Sequence, residues 1–535
     1  MSEDAGGINN YAYIDDFNPY PSFQAGQKEA ITEILELYDS GEKVIELNAP
    51  TASGKSLDLY VLGRVLSIQF KLDKVLYTTP LVTLVNQLEK EPQFSKMPVL
   101  KGRRNYPCGL YFEIMADECP FDTWGKAIKF CKHGDEDSRG DPCCDCSYHL
   151  DRERFMNSRF GATTFARYVV DPMCHGACAA LLIDESAGLE TALVNYSTMK
   201  LPDDTDIKNL RAYVVDYKQQ LDEEIGSLDE EIKVLQEEFY ELDSTKQHQS
   251  RGKAVLDQIK QLNKTKTHDE RESRKCEKVI YHIDNNHKYI IDKGYHFRLL
   301  EGKSEFERLI KNLDLVILAS GTPTSAIYAD NFKSVRVQHP IPLDRRTIYY
   351  CPVGSMNYKD REITAPKIAY AIEKLHAKYH KKTMVHCGAY TIAKMLYDRL
   401  SNAAKDITIL QTNPDERELY KNMFMGSEGE QIFLSIRFVE GLNLKGPDYP
   451  MNIIAKIPFE NIKDEYVSQR NQHDNYLRYN TFAAVEVMQA AGRCTRTPTD
   501  FSETWILDAS WRTLLNRNRK KFEPWFLAAL KEGKI

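Results

Sequence analysis

The stretch Ala49-Pro50-Thr51-Ala52-Ser53-Gly54-Lys55-Ser56 constrains this chain more than any other. An apolar run, Val44-Ile45-Glu46-Leu47, leads into it, and a helical pattern follows from Ser56 to Ile68. Strand, small-residue loop and helix in that order form a cradle whose backbone N–H groups point inward and hold phosphate oxygens. Lys55 would reach the β- and γ-phosphates as a point charge, and the Ser56 hydroxyl would bind Mg²⁺. Ala49 stands where such loops usually begin with glycine, and Ala52 fills a second position that is often glycine. A bare Gly-Lys-Ser recurs by chance. The flanking strand and helix favour a nucleotide site over an ordinary turn with an exposed lysine.

With 535 residues, 42% of them hydrophobic, the chain has room for about three or four domains. A net charge of −7 does not advertise nucleic-acid binding, although a local basic groove can sit on an acidic protein. No run of about 18 apolar residues occurs, so no spanning helix is expected. Met1–Asn10 is polar and acidic, without the apolar core of a signal peptide, and a cytosolic location is the expectation. Twelve cysteines in a cytosolic chain are more readily metal ligands or buried thiols than disulfides. Six of them, Cys108, Cys119, Cys131, Cys143, Cys144 and Cys146, fall in a region, 100–165, that has poor strand patterning. A metal centre would order it by tying distant loop points together. Thiolates suit zinc or an iron–sulfur cluster, and spacing does not choose between them.

Upstream of the loop, Phe23 and Gln27 precede a helix over 28–38; they either touch an adenine or simply start the helix with Phe23 packed. Lys74–Pro80 reads as a second buried strand ending in Thr78 and Thr79, at the carboxyl edge where open α/β sheets bind ligands. Ala179–Ile183 is a third, running into Asp184-Glu185-Ser186-Ala187. There Asp184 can hold Mg²⁺ through its water shell, and Glu185 can orient and deprotonate the attacking water. The alternative is a helix N-cap at Asp184. Residues 205–290 are highly charged, but Leu221, Ile225, Leu228, Ile232, Leu235, Phe239 and Leu242 form a heptad seam. After a polar turn, Leu256, Ile259 and Leu262 begin a shorter return, so the spacing predicts an antiparallel helical hairpin. Leu315–Ala319 is another strand, and its exit Ser320-Gly321-Thr322-Pro323 either hydrogen-bonds the acidic pair or is a plain loop.

From about residue 340 a second α/β set begins, including the strand Lys382–Cys387, the segment Glu440-Gly441-Leu442-Asn443 and the stretch Gln489–Arg496. If the last is helical, Arg493 and Arg496 share one face and Gln489 joins it. Two guanidiniums facing a triphosphate would stabilise charge on the transferring phosphoryl group; a surface ion-pair helix is the alternative.

This order of segments resembles a superfamily 2 DNA helicase of the XPD/DinG family over nearly the whole chain. Gly102-Arg103-Arg104-Asn105-Tyr106-Pro107-Cys108 and Gln489–Arg496 are the most specific stretches. The resemblance implies an α/β protein with two RecA-like parallel-sheet domains, and an iron–sulfur domain and a helical arch inserted in the first. The division would be 1–100, 166–200 and 301–335 for the first RecA-like domain, 101–165 for the iron–sulfur domain, 201–300 for the arch and 336–535 for the second RecA-like domain. It implies ATP, Mg²⁺ and a 4Fe-4S cluster as cofactors. Lys55, Asp184, Glu185, Gln489, Arg493 and Arg496 would be catalytic. Gln27, Ala49, Pro50, Thr51, Ala52, Ser53, Gly54, Lys55, Ser56, Glu440, Gly441 and Asn443 would line the nucleotide site, with Ser56 and Asp184 on the metal. Cys108, Cys119, Cys131 and Cys146 would hold the cluster, with Cys143 and Cys144 as substitutes for the middle two.

The implied activity is 5′→3′ translocation on single-stranded DNA and unwinding of duplex or fork DNA, by a monomer, without a membrane. Thr78 and Thr79 would be among the groups holding DNA phosphates. The compact size resembles phage-encoded members, hence the cytoplasm of a bacterial host and a role in DNA repair or replication. Three positions depart from the family: Ala187 replaces a histidine, Asn443 an aspartate and Ala52 a loop glycine. None removes an essential charge from the ATP site. Two other readings are a translocase that clears proteins or RNA without appreciable unwinding, and a zinc-stabilised nucleic-acid-binding protein.

Overall fold

A computed structural model describes residues 11–107, 115–118, 147–203, 205–242, 250–413, 416–436, 444 and 446–535. The strands, in chain order, are β1 (Val44–Asn48), β2 (Val75–Thr79), β3 (Val99–Leu100), β4 (Phe160–Thr164), β5 (Ala180–Ile183), β6 (Met199–Lys200), β7 (Tyr289–Ile291), β8 (His296–Leu299), β9 (Leu315–Ser320), β10 (Lys333–Arg336), β11 (Ile348–Gly354), β12 (Lys382–His386), β13 (Thr408–Leu410), β14 (Gln431–Ser435), β15 (Met451–Ile454), β16 (Glu503–Asp508) and β17 (Leu530–Glu532). Two seven-stranded sheets result, with orders β10-β1-β9-β5-β2-β4-β3 and β13-β14-β12-β15-β16-β11-β17. β1 runs parallel to β10, β2 to β4 and β5, and the neighbours in the second sheet are likewise parallel. A small antiparallel sheet, β6-β8-β7, stands apart.

Burial explains the strand sequences. Every residue of β1, β2, β9, β12 and β16 is buried, as expected of parallel strands covered on both faces. Two of their charged residues are satisfied internally: Lys382 donates from Nζ to the Met425 carbonyl at 2.9 Å, and Ser334 donates to the Glu46 carboxylate at 3.0 Å. Asp508, at the end of β16, accepts from the backbone N–H groups of Met356, Ile457 and Ser510, so one buried carboxylate fixes three loops at the carboxyl edge of the second sheet.

The chain divides into two compact units. One comprises 1–62, 184–187 and 317–535; the other comprises 63–183 and 188–316. In the second unit, the helices Leu210–Glu241 and Ser250–Asp284 lie side by side. Their bonds step in opposite directions: Arg211 to Asp284, Lys218 to Glu277, Ser273 to Asp222, Lys266 to Asp229 and Arg251 to Glu238. The hairpin is therefore antiparallel. Leu221, Ile232 and Phe239 of the heptad seam are buried, and Ile225, Leu228, Leu235 and Leu242 are half-buried. The returning helix extends well beyond its short apolar pattern, with 35 residues against 32 in the first limb. The pattern breaks at Asp269 and Ser273, which are buried, and the Ser273 hydroxyl donates to Asp222 at 2.6 Å. A hydrogen-bonded polar seam continues the packing that apolar residues began. No helix among the described residues is long and apolar enough to cross a membrane.

Candidate nucleotide site

Ala49 begins the loop by donating its N–H to the Ser320 carbonyl at 2.9 Å, which ties the end of β1 to the end of β9. Gly321 lies tight against the loop, because a Cβ there would be 3.2 Å from the Ala49 carbonyl oxygen. The loop then turns through two left-handed residues, Ala52 at φ 70° and Gly54 at φ 80°, into the helix Lys55–Ile68. Glycine takes that conformation freely, whereas for Ala52 it is strained. Ser56 sits in the helix's first turn, half-buried.

Gln27 is bonded to the loop itself. It is fully buried; its amide donates to the Gly54 carbonyl at 3.2 Å and to Asp58 at 2.8 Å, and accepts from the Gln24 N–H at 2.7 Å. It braces the phosphate loop from behind. Asp58 is buried with it, and burial pushes its carboxyl well up; the Gln27 hydrogen bond and the Lys55 charge pull it partly back.

The acidic pair stands opposite. Lys55 Nζ lies 2.7 Å from Glu185 Oε1 and 3.3 Å from Asp184 Oδ1. Burial alone would lower the Lys55 ammonium, but the two carboxylates outweigh it and hold it above its usual range. Glu185 occupies a left-handed backbone position, φ 52°, with its N–H on Asp184 Oδ1 at 2.8 Å. Burial pushes the Glu185 carboxyl up, yet Lys55, Arg493 and Arg496 together bring it below the ordinary carboxylate range.

The arginine segment arrives differently from expectation. The helix Leu477–Ala491 stops at Gly492, so Arg493 and Arg496 follow it in a turn and do not share a helical face. Asp500 shapes that turn by accepting from the N–H groups of Arg496 and Thr497 at 2.7 and 2.8 Å. Gly492 packs on the phosphate loop: a Cβ there would lie 3.0 Å from Thr51 Oγ1. Gln489 donates to the Thr322 hydroxyl at 3.2 Å, which gives the Ser-Gly-Thr exit of β9 a partner. Thr324 reaches the backbone after the acidic pair, with its hydroxyl 3.4 Å from the Ser186 and Ala187 carbonyls. Burial, and then repulsion from Arg493, lower the Arg496 guanidinium to about 10, with Glu185 opposing. Two cations and a carboxylate are therefore close enough to feel one another.

Thr78 and Thr79 are corrected. Both are fully buried, and their hydroxyls donate to the Leu182 and Leu81 carbonyls at 3.3 and 2.9 Å, which leaves neither proton for a phosphate. Glu440, Gly441 and Asn443, and the cysteines Cys108, Cys119, Cys131, Cys143, Cys144 and Cys146, lie outside the described residues. Among the described residues no group of three His, Cys, Asp or Glu side chains could hold a metal, and Cys174, Cys178, Cys276, Cys351, Cys387 and Cys494 are free thiols.

Sequence reasoning missed two supports. One is Asp58, a carboxylate between Leu57 and Leu59 on an apolar helix. The other is Asn452, a polar residue inside β15. Its amide donates to the Ala490 carbonyl at 2.8 Å and its oxygen pairs with His386 at 2.9 Å, so it fastens the helix that delivers the arginines. A polar residue interrupting an apolar run was the available signal in both cases.

A phosphate-type loop facing an acidic pair and two arginines, in a fold of parallel α/β sheets, has the donors and charges to hold a nucleotide's phosphates. Residues 372–528 match the helicase C-terminal domain family. No curated protein matches the sequence. Among solved structures, Xpd4 of S. tokodaii superposes with a TM-score of 0.55 at 15% identity, over 96% of this chain and 100% of that one. An XPD helicase gives 0.58 at 16% over 96% and 100%, and apo XPD gives 0.52 at 14% over 95% and 100%. The structural likeness establishes the shared fold. Taken with the domain match, it gives the chain an XPD-like fold in which residues 372–528 match a helicase C-terminal domain.

Proposed function

We propose that the protein is an ATP-dependent DNA helicase that moves 5′→3′ along single-stranded DNA and separates duplexes. The convergence of Lys55, Asp184–Glu185 and Arg493–Arg496 on one loop carries this reading. ATP would place its phosphates on the loop N–H groups and draw Lys55 from the carboxylates onto the β- and γ-phosphates. Relieved of that cation, Glu185 becomes the better hydrogen-bond acceptor for the attacking water. Arg493 and Arg496 then stabilise charge on the transferring phosphoryl group. The Ser56 hydroxyl and the Asp184 carboxylate are hard oxygen donors suited to Mg²⁺, which when bound neutralises phosphate charge. The cysteines between Cys108 and Cys146 suit a 4Fe-4S cluster by donor chemistry, and Cys108, Cys119, Cys131 and Cys146 are its proposed ligands.

The test is strand displacement on duplexes carrying a 5′ or a 3′ single-stranded tail, with protein purified without oxygen and Lys55→Ala as control. ATP-dependent unwinding from the 5′ tail alone is the expected result. ATP hydrolysis stimulated by single strands without unwinding from either tail would instead identify a translocase. Absence of both unwinding and stimulated hydrolysis would refute the reading.

A further inference from the structure

An acidic protein that handles nucleic acid needs a local basic surface, and the second sheet carries one outside the nucleotide site. The helix Arg361–His376 buries Thr364, Ala365, Ile368, Ala369, Ala371, Ile372, Leu375 and His376. Its opposite face presents Ile363, Lys367, Tyr370 and Lys374, at helical spacing and all exposed. Tyr370 is 60% exposed, with Lys374 Nζ 5.5 Å from its ring centre. In the turn before the helix, Tyr358 is 76% exposed; Arg361 lies over its ring at 4.6 Å and Lys463 at 5.3 Å. From Arg361 to Lys374 the stripe is about 20 Å long at the helical rise.

The acidic residues nearby are engaged elsewhere. Glu362 accepts from Arg399 at 2.7 Å, Glu373 from the Ser401 N–H at 2.7 Å, and Asp360 from Asn357 at 2.7 Å. Asp464 caps its own helix by accepting from the Val467 N–H. Glu362 is neutralised by Arg399, and the other carboxylates are held by these neighbours, while Lys359, Arg361, Lys367, Lys374 and Lys463 lie along two exposed tyrosines.

Resting on the helicase reading, we propose that this stripe binds single-stranded nucleic acid, with phosphates on the lysines and Arg361 and bases against Tyr358 and Tyr370. A duplex hides its base faces, whereas a single strand offers them for aromatic stacking. A protein partner would find two exposed aliphatic side chains, Ile363 and Ile462, among five cations, a poor interface centre.

The test is fluorescence anisotropy of labelled oligothymidylate with the full chain, over a range of salt concentrations, with thermal melting to verify folding. Replacing both tyrosines, Tyr358→Ala with Tyr370→Ala, should weaken binding about tenfold or more, while the paired Tyr→Phe variant binds like wild type. Lys367→Ala with Lys374→Ala should flatten the log–log salt dependence by about 0.7 for each phosphate that is no longer neutralised. An iodouracil-bearing oligonucleotide should photo-crosslink to Tyr358 or Tyr370. If wild type binds and the alanine pair binds equally well, the stripe is inert and the helicase reading stands. If wild type binds no single strand at all, both fall.

Discussion

Removing the charge of Arg496 should stabilise the folded protein while disabling it. Burial, and then Arg493, hold the guanidinium at about 10 against an ordinary 12.5. That gap of about 2.5, at about 1.36 kcal/mol each, is a cost of about 3 kcal/mol for keeping the cation in the fold. Because the folded value is the lower one, the cost is full at every pH below about 10 and is relieved only as the pH climbs toward 12.5. Arg496→Gln keeps an amide for hydrogen bonding and leaves the Arg496 N–H on Asp500, so the turn survives. That gap is already net of the attraction to Glu185, and the cost of burying the new amide offsets part of the gain, which leaves about 1–3 kcal/mol of net stabilisation at pH 7. Urea unfolding of the two proteins measures this directly. Nucleic-acid-stimulated ATP hydrolysis should meanwhile fall about a thousandfold, the scale of a missing arginine finger. A variant that unfolds at lower urea than wild type would refute the claim that this cation is held at a cost. Undiminished hydrolysis would refute its placement at the transferring phosphate.

Three further perturbations follow from the same geometry. Lys55→Ala should abolish ATP hydrolysis and cost about 2 kcal/mol, less than for a fully buried pair because the Glu185 side chain is 45% exposed. The Glu185 carboxyl is depressed in the fold, so its contribution is full above the ordinary carboxylate range and disappears only as pH falls below it; urea midpoints of wild type and Lys55→Ala should stay apart from pH 7 to about pH 5 and converge below about pH 4. Ala52→Gly relieves a left-handed alanine and should raise stability by up to about 1 kcal/mol, whereas Ala52→Val should lower both stability and nucleotide affinity, as read by melting and by nucleotide titration. Asn452→Leu strips hydrogen bonds from His386 and the Ala490 carbonyl and should cost about 1–3 kcal/mol in thermal unfolding.

Buried parallel strands were the most legible part of the chain, because a strand covered on both faces must be apolar almost throughout. Val44–Leu47, Leu315–Ala319 and Lys382–His386 declared themselves in this way. The phosphate loop was legible from its setting between such a strand and a helix. What periodicity could not show was how polar groups would be used. Thr78, Thr79 and Gln27 looked like ligand-binding groups, but each closes a hydrogen bond to its own scaffold, because a buried hydroxyl or amide is costly unless paired. Arg493 and Arg496 were placed on a helix by extending a good helical pattern through Gly492, where the helix in fact ends. Their approach to Glu185 depends on a turn shaped by Asp500, an arrangement that residue spacing does not encode.

The clasp between Arg211 and Asp284 makes the helical hairpin a modular attachment. Its two strands of chain leave and rejoin the host side by side, held by hydrogen bonds of 2.6 and 3.1 Å. Whatever happens farther out along the limbs, the distance the host must span stays the same. Adding or deleting one heptad on each limb would change the reach of the projection by about 10 Å while leaving its footing untouched. Reach can therefore be altered by design independently of the parallel sheets.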